Sequence, residues 1–172
     1  SINETLEIGK GREIKEGKKI VVLNFGARLE ECKKASEILL KKGVDISIID
    51  ARFAKPLDEK LIIEAASNHE VMITIEEGSV GGFGSHVMQL LSERGIFDRG
   101  LKFRSMILPD LFIDQDSPEK MYEKAGLDSQ SIVNKIEQAI SSKVVFAKTK
   151  IKTWDYPHWA LFISKWSKST QF

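Results

Sequence analysis

Residues 71–88 of this chain read Val-Met-Ile-Thr-Ile-Glu-Glu-Gly-Ser-Val-Gly-Gly-Phe-Gly-Ser-His-Val-Met. The stretch begins as a short apolar run, passes through two carboxylates and four glycines, and continues with apolar residues at helical spacing. This order predicts a buried strand, a glycine loop and a helix. Ser85 is the predicted N-cap of that helix, because its hydroxyl can accept a hydrogen bond from a free amide of the first turn.

The glycine loop does not have the spacing of a phosphate-binding loop. Its glycines fit neither G-x-G-x-x-G nor G-x-x-x-x-G-K-[ST], and no lysine stands at its end. Loops at the carboxyl ends of parallel strands commonly carry ligands or partners. From the chemistry alone, a tight turn that packs a helix or a neighbouring domain is favoured over a ligand site.

Three titratable residues flank this loop. Glu76 and Glu77 end the predicted strand, and His86 begins the predicted helix. A glutamate with a histidine nearby is compatible with acid–base chemistry, and also with a hydrogen-bonded interface, which we favour. The two other histidines, His69 and His158, are not spaced with a cysteine, acid or histidine as a metal site requires, and His69 is expected at the surface. Without the resemblance described below, the residues predict a soluble α/β domain with no evident active site.

The segments on either side of this stretch repeat its pattern. Apolar runs at residues 19–25, 44–49 and 103–108 predict further strands, and the segments between strands carry apolar residues at helical spacing. Strands that are apolar throughout are typical of parallel sheets covered on both faces. We therefore expect a three-layer α/β/α sandwich over residues 5–141, with a mostly parallel sheet of about five strands and residues 5–17 at its edge. The last helix is expected to bury Ile132, Val133, Ile136 and Ile140.

Composition divides the chain into a domain and a tail. Lys+Arg 26 against Asp+Glu 25 leaves it almost neutral, which does not favour a nucleic-acid partner. Six of the lysines and all three tryptophans follow residue 142, with one acid among them. We predict a domain at 1–142 and a basic, Trp-rich tail at 143–172, which could form an edge strand and an amphipathic helix. The single cysteine, Cys32, is expected to be a buried structural thiol in a reducing compartment.

Several motifs together resemble one enzyme family. They are IGKGR (8–12), FG (25–26), RL (28–29) with EC (31–32), DARFAKPLD (50–58), ITIEEGSVGGFGSHV (73–87), RSM (104–106), LPD (108–110) and AGLD (125–128). In this order they are similar to the C-terminal domain of 1-deoxy-D-xylulose-5-phosphate synthase. The resemblance covers about residues 6–140 and implies the α/β fold of transketolase C-terminal domains.

The resemblance implies a chemistry that lies outside this chain. The family uses thiamine diphosphate and Mg²⁺ to join pyruvate to D-glyceraldehyde 3-phosphate with loss of carbon dioxide, for isoprenoid and thiamine synthesis. It holds the cofactor in two preceding domains, in part through a Gly-Asp-Gly element that this sequence lacks. No catalytic, cofactor-binding or metal residue is therefore assigned to this chain, which is expected to be inactive and to bind no cofactor alone.

The resemblance also implies partners and a role for the glycine loop. The expected partners are the N-terminal cofactor-binding domains, in a homodimeric enzyme of the cytoplasm or a plastid-type organelle, and no membrane role is expected. We expect the loop to contact a neighbouring domain or subunit through Glu76, Glu77, Gly78, Gly81, Gly82, Phe83, Gly84, Ser85 and His86. Two alternatives stay open: a stand-alone interaction module, and the C-terminal domain of a transketolase or of a 2-oxo acid dehydrogenase β subunit.

Overall fold

The structure is a computed structural model that describes residues 5–141. Its strands are β1 Arg12–Lys15, β2 Ile20–Phe25, β3 Ile46–Asp50, β4 Val71–Glu76 and β5 Lys102–Met106. Its α-helices are α1 Leu29–Lys41, α2 Glu59–Asn68, α3 Phe83–Glu93, α4 Pro118–Ala125 and α5 Ser129–Ser141, and a 3-10 helix spans Ile96–Arg99. None of the helices within 5–141 is long and apolar enough to cross a membrane.

The five strands form one sheet in the order β1-β3-β2-β4-β5. β1 runs antiparallel to β3 at one edge, and the other three pairs are parallel. The predicted sheet of about five mostly parallel strands is therefore confirmed, with its lead-in strand at the edge. All four parallel strands end at the same side of the sheet, which we call the carboxyl edge, and begin at the opposite side, the amino edge.

Helices cover both faces of the sheet. One face packs against α1 and α5, through buried residues such as Val22 and Ile73 of the strands. The other face packs against α2 and α3, through the alternate residues Val21 and Met72. These four strand side chains are fully buried, and removing an aliphatic side chain of this size from water contributes about 1.5–3 kcal/mol. The three-layer arrangement follows from strands that are apolar on both faces.

Local signals in the sequence set several helix ends. The Asp58 carboxylate accepts a hydrogen bond from the Leu61 amide at 3.2 Å and so caps α2. Ser117 is the N-cap of α4, with Pro118 as its first helical residue. Gly126 ends α4 with a φ of 71°, in the left-handed region that favours glycine.

Two predicted details are wrong. Ile140 is 45% exposed, and Ala139 is buried in its place, because the last turn of α5 reaches the amino edge, where Ile140 only lines a cavity beside the strand starts. The fifth strand ends at Met106 rather than at residue 108, and the Leu108 amide leaves the sheet to donate to the Gly78 carbonyl at 2.9 Å. The predicted tail, its edge strand and its amphipathic helix lie outside the described residues.

Candidate functional site

Glu76, the last residue of β4, is a buried carboxylate with both oxygens engaged. The residue is only 3% exposed. Oε2 accepts from the Phe83 amide at 2.9 Å, and Oε1 accepts from the Gly84 amide at 2.8 Å. Both amides belong to the first turn of α3, where unpaired N–H groups and the helix dipole favour a negative charge. Glu76 therefore caps α3 from the preceding strand.

The glycines of the loop make room for this carboxylate. A Cβ on Gly82 would lie 2.2 Å from Glu76 Oε2, and one on Gly78 would lie 2.6 Å from the same atom. A Cβ on Gly84 would lie 2.6 Å from Thr74 Oγ1. Gly82 itself has an ordinary φ of −79°, so its lack of a side chain matters for space and not for backbone freedom. Only Gly81, at φ 97°, needs the left-handed region within this loop.

The prediction that Ser85 caps α3 is wrong. The N-cap is Gly82, which has no side chain to offer. Ser85 lies inside the first turn, and its hydroxyl accepts from the Gly81 amide at 3.0 Å. The free amides instead donate to the carboxylate of Glu76. These two charge-assisted hydrogen bonds are stronger than the bond that a serine hydroxyl would make.

Glu77 belongs to a second cluster, on the other side of the strand end. Its Oε1 lies 2.9 Å from Arg28 Nε in an ion pair, and the Arg28 guanidinium stacks 3.4 Å above the Tyr122 ring. The Tyr122 hydroxyl also hydrogen-bonds Glu77, which raises the pKa of Tyr122. Glu77, Arg28 and Tyr122 thus pair with one another, although Arg28 Nε and Glu77 Oε1 are buried without a well-aligned hydrogen bond.

This cluster lies where α/β proteins commonly bind ligands. Arg28 follows β2 and leads into α1, whereas Glu77 follows β4 and leads towards α3. Since α1 and α3 cover opposite faces of the sheet, the two loops part at the point where the strand order reverses. Crevices for ligands form at such switch points. Here the chain's own arginine, glutamate and tyrosine lie in that position.

His86 does not join either glutamate. It lines a cavity of about 280 Å³ with Lys55, Pro56 and Glu59, and within residues 5–141 no hydrogen bond or ion pair joins it to Glu76 or Glu77. The acid–base grouping considered from the sequence is therefore not assembled. Whether the loop contacts a neighbouring domain stays a prediction.

Exposed apolar side chains surround these clusters at the carboxyl edge. Val80 is 84% exposed in the glycine loop, and Leu111 and Phe112 are 58% and 91% exposed in the loop after β5. The Leu108–Gly78 hydrogen bond described above joins the two loops. An exposed apolar cluster of this kind is typical of a surface that binds another protein.

At the amino edge the structure contains a polar pair that the sequence did not reveal. Ser47 Oγ lies 2.7 Å from His69 Nε2, and His69 Nδ1 lies 2.7 Å from the Ala65 carbonyl oxygen. Because that carbonyl only accepts, Nδ1 carries the proton and Nε2 accepts from the Ser47 hydroxyl. His69 is half-buried and not the surface residue we expected. The only signal for this pair was a serine inside an apolar strand.

Within residues 5–141, no group of three His, Cys, Asp or Glu side chains could hold a metal ion. Cys32 is fully buried, and this burial raises the pKa of its thiol from 9.0 to about 12, so it stays protonated at neutral pH. The predicted buried, structural role of Cys32 is consistent with both observations.

Comparison with known proteins agrees with the fold. Residues 9–132 match the family described as Transketolase, C-terminal domain. One similar solved structure is described as "Split gene transketolase, inactive beta4 tetramer", with 28% identity and a TM-score of 0.73 over 81% of this chain and 45% of that one. The transketolase from Campylobacter jejuni subsp. jejuni NCTC 11168 shares the fold, with 18% identity and a TM-score of 0.56 over 76% of this chain and 18% of that one.

The chain thus spans less than half of the length of either structure. The match to the broader family does not by itself single out the synthase. It covers the sheet, both clusters at the carboxyl edge and the exposed loops around them. Because the match covers residues 9–132, the chain belongs to the transketolase C-terminal domain family.

Proposed function

We propose that this chain is the C-terminal domain of a thiamine-diphosphate-dependent enzyme of the 1-deoxy-D-xylulose-5-phosphate synthase type, with a role in assembly and no catalysis of its own. In the complete enzyme, thiamine diphosphate and Mg²⁺ are held by the N-terminal cofactor-binding domains, and this domain contacts them within a homodimer. The motifs at residues 50–58 and 73–87 support the synthase over its relatives.

One observation carries the assembly role. The position where α/β proteins bind ligands is filled by the chain's own groups, since both Glu76 oxygens cap α3 and Glu77 pairs with Arg28 and Tyr122. The surrounding loops expose Val80, Leu111 and Phe112 instead of converging polar groups. A polar cluster whose members pair within the chain, surrounded by exposed apolar side chains, supports binding to another protein domain better than substrate chemistry.

A second candidate is the C-terminal part of a split transketolase. The 28% identity to a protein described as a split gene transketolase favours it. The two candidates differ in the partner that they require. A synthase domain should restore a truncated synthase, and a transketolase domain should restore a truncated transketolase.

The test is complementation in trans. We would titrate the purified 172-residue chain with thiamine diphosphate and Mg²⁺ by calorimetry, alone and with a synthase whose own C-terminal domain has been removed, and follow pyruvate decarboxylation in parallel. We expect no cofactor binding by the chain alone and cofactor-dependent turnover on mixing. A truncated transketolase serves as the matched second partner, and its turnover is followed by ketol transfer between sugar phosphates, because a transketolase does not decarboxylate pyruvate.

Each outcome decides between the candidates. Turnover with the truncated synthase only supports the proposed function, and turnover with the truncated transketolase only replaces it by the second candidate. Cofactor binding by the chain alone would contradict the proposal that the cofactor is held by the other domains. If the chain binds neither truncated enzyme, the assembly role is wrong, and the alternative of a stand-alone interaction module gains support.

A further inference from the structure

The loop after β5 combines exposed apolar and acidic side chains. Leu111 and Phe112 are exposed, with the Phe112 side chain almost entirely in solvent at 91%. Asp110 precedes them and Asp114 follows them, and both carboxylates are exposed. A phenylalanine that extends from a loop in this way has no packing role in its own domain.

The charged residues of the loop itself have one sign. Residues 105–119 contain Asp110, Asp114, Asp116 and Glu119 and no lysine or arginine. Asp116 faces Lys120 at 3.6 Å and Lys124 at 3.5 Å. Among the described residues Asp110 and Asp114 form no ion pair. The two carboxylates beside the apolar pair are therefore available to a partner's positive charges.

A cavity lies beside the same loop. It has a volume of about 360 Å³ and is lined mainly by apolar side chains, among them Leu108, Ile113 and Met121, with Glu77 among its lining residues. A groove of this size admits one large apolar side chain of a partner. We call the surface beside this cavity the docking face, which is formed by Val80, Asp110, Leu111, Phe112 and Asp114.

The charge of the docking face indicates what covers it. A second copy would bring the same acidic loop against itself across a two-fold axis, and like charges would then oppose association. A segment with an apolar side chain flanked by lysine or arginine would instead fill the groove and pair with Asp110 and Asp114. Complementary charge of this kind also determines the register of a docked segment.

We propose that the docking face receives such a basic-apolar segment from the cofactor-binding part of the enzyme. The inference rests on the proposed function and adds to it the surface and the chemistry of the contact. Phe112 is the central anchor, and Val80 and Leu111 extend the apolar contact. Asp110 and Asp114 pair with the positive charges that flank the segment's apolar side chain.

The experiment measures the affinity of the full 172-residue chain for a synthase that lacks its own C-terminal domain, by titration at several salt concentrations. F112D is expected to weaken binding by about tenfold or more, as for a central interface residue. The control is L40D, which changes a side chain that is 53% exposed on α1, and it should alter affinity by less than about twofold. Thermal unfolding verifies that both variants remain folded.

A charge reversal tests the second half of the proposal. The double change D110K and D114K is expected to weaken binding and to flatten its salt dependence, because the pairs that salt screens are lost. E37K is the control, since Glu37 is an exposed acid of α1 on another part of the surface. This control should leave both the affinity and its salt dependence unchanged.

The outcomes separate this inference from the function on which it rests. Failure of the wild-type chain to bind or restore the truncated enzyme overturns the proposed function and this inference with it. Two outcomes would overturn the docking face alone while wild-type binding is retained. In one, F112D and L40D bind the truncated synthase with equal affinity. In the other, the charge reversal leaves the salt dependence of binding unchanged. Self-association of the chain that F112D abolishes would show a second copy on this face and would also overturn the proposal.

Discussion

The two edges of the sheet each bury a polar side chain, and they do so differently. At the carboxyl edge, the Glu76 carboxylate is held by two amides of α3, with Gly78, Gly82 and Gly84 crowded around it. At the amino edge, the Ser47 hydroxyl donates to His69 and accepts from the Gly17 amide at 2.9 Å. One edge buries a carboxylate, and the other buries a hydroxyl paired with an imidazole.

The difference shows why the glycines cluster where they do. A buried carboxylate must receive strong hydrogen bonds on both oxygens, since leaving one unpaired costs more than it does for a neutral group. Backbone amides can supply those bonds only if the loop closes around the acid, and any Cβ would block that approach. The Ser47 hydroxyl accepts from a single glycine amide, that of Gly17. A Cβ on Gly17 would lie 2.2 Å from the Ile46 carbonyl carbon.

The largest effect is expected at Gly82. G82A places a Cβ against Glu76 Oε2, so that the carboxylate must move and lose its hydrogen bonds to the α3 amides. We expect this change to lower the unfolding free energy by about 3 kcal/mol or more. The matched control is G43A, where φ is 79° and no atom lies within 4 Å of the added Cβ; backbone strain alone costs about 1 kcal/mol there. Urea unfolding measures both, and equal losses would contradict the glycine-packing argument.

Removing the charge of Glu76 should have the next largest effect. E76Q keeps the shape of the side chain but turns one acceptor oxygen into an NH₂ group that faces an amide donor. We expect this change to lower the unfolding free energy by about 2 kcal/mol. E77Q is the control, and because Glu77 is 30% exposed its loss should stay below about 1 kcal/mol. Chemical denaturation at neutral pH compares the two, and a greater loss in E77Q would reverse the roles assigned here.

The amino edge should respond less. S47A leaves the Gly17 amide and the His69 Nε2 without their hydroxyl partner, which we expect to cost about 1–2 kcal/mol. S67A is the control, because Ser67 is an exposed residue of α2 and its change should stay within about 0.5 kcal/mol. If thermal or urea unfolding gives the same value for both variants, the Ser47–His69 pair contributes nothing to stability.

The smallest effect is expected at Tyr122, and it depends on pH. Y122F removes one hydrogen bond to Glu77 near the surface, worth about 0.5 kcal/mol at neutral pH. The pKa of Tyr122 is raised above 10.0 in the folded chain, so this stabilisation is present below pH 10.0 and is lost as pH rises through the higher folded value.

The measurement is the difference in unfolding free energy between wild type and Y122F from pH 7 to above pH 10. We expect it to remain constant up to the ordinary tyrosine pKa and then to shrink. Y156F controls for the other tyrosine of the chain. A difference that grows with pH would mean that the fold lowers the pKa of Tyr122.

Local patterns predicted most of the fold. Continuous apolar runs identified the central strands β2, β3 and β4. Short signals such as the Asp58 cap and Gly126 mark helix ends, because each acts on residues within one helical turn. The same reasoning failed at Ser85, where the group that caps α3 comes from Glu76, seven and eight residues before the amides that it binds. Capping statistics describe neighbours in the helix and do not anticipate a strand residue.

The candidate site was only partly visible in the sequence. The glycine loop and its two acids were recognised, but not that Glu76 and Glu77 serve different partners. Arg28 and Tyr122 meet Glu77 from segments far apart in the chain, and Ser47 meets His69 across the amino edge. Such contacts depend on strand order, which periodicity does not encode.

By itself, the sequence determined the layers of this protein: apolar runs that cannot face water on either side must form a sheet covered by helices. Its motifs also predicted the fold of transketolase C-terminal domains, which the family match over residues 9–132 confirms, whereas the synthase itself stays a proposal. The tertiary structure alone decided which carboxylate is buried, which histidine is paired and which apolar side chains remain in solvent at the carboxyl edge. The physical reason is that burial and pairing arise between segments brought together by the strand order, whereas a strand or helix forms from the spacing of its own residues.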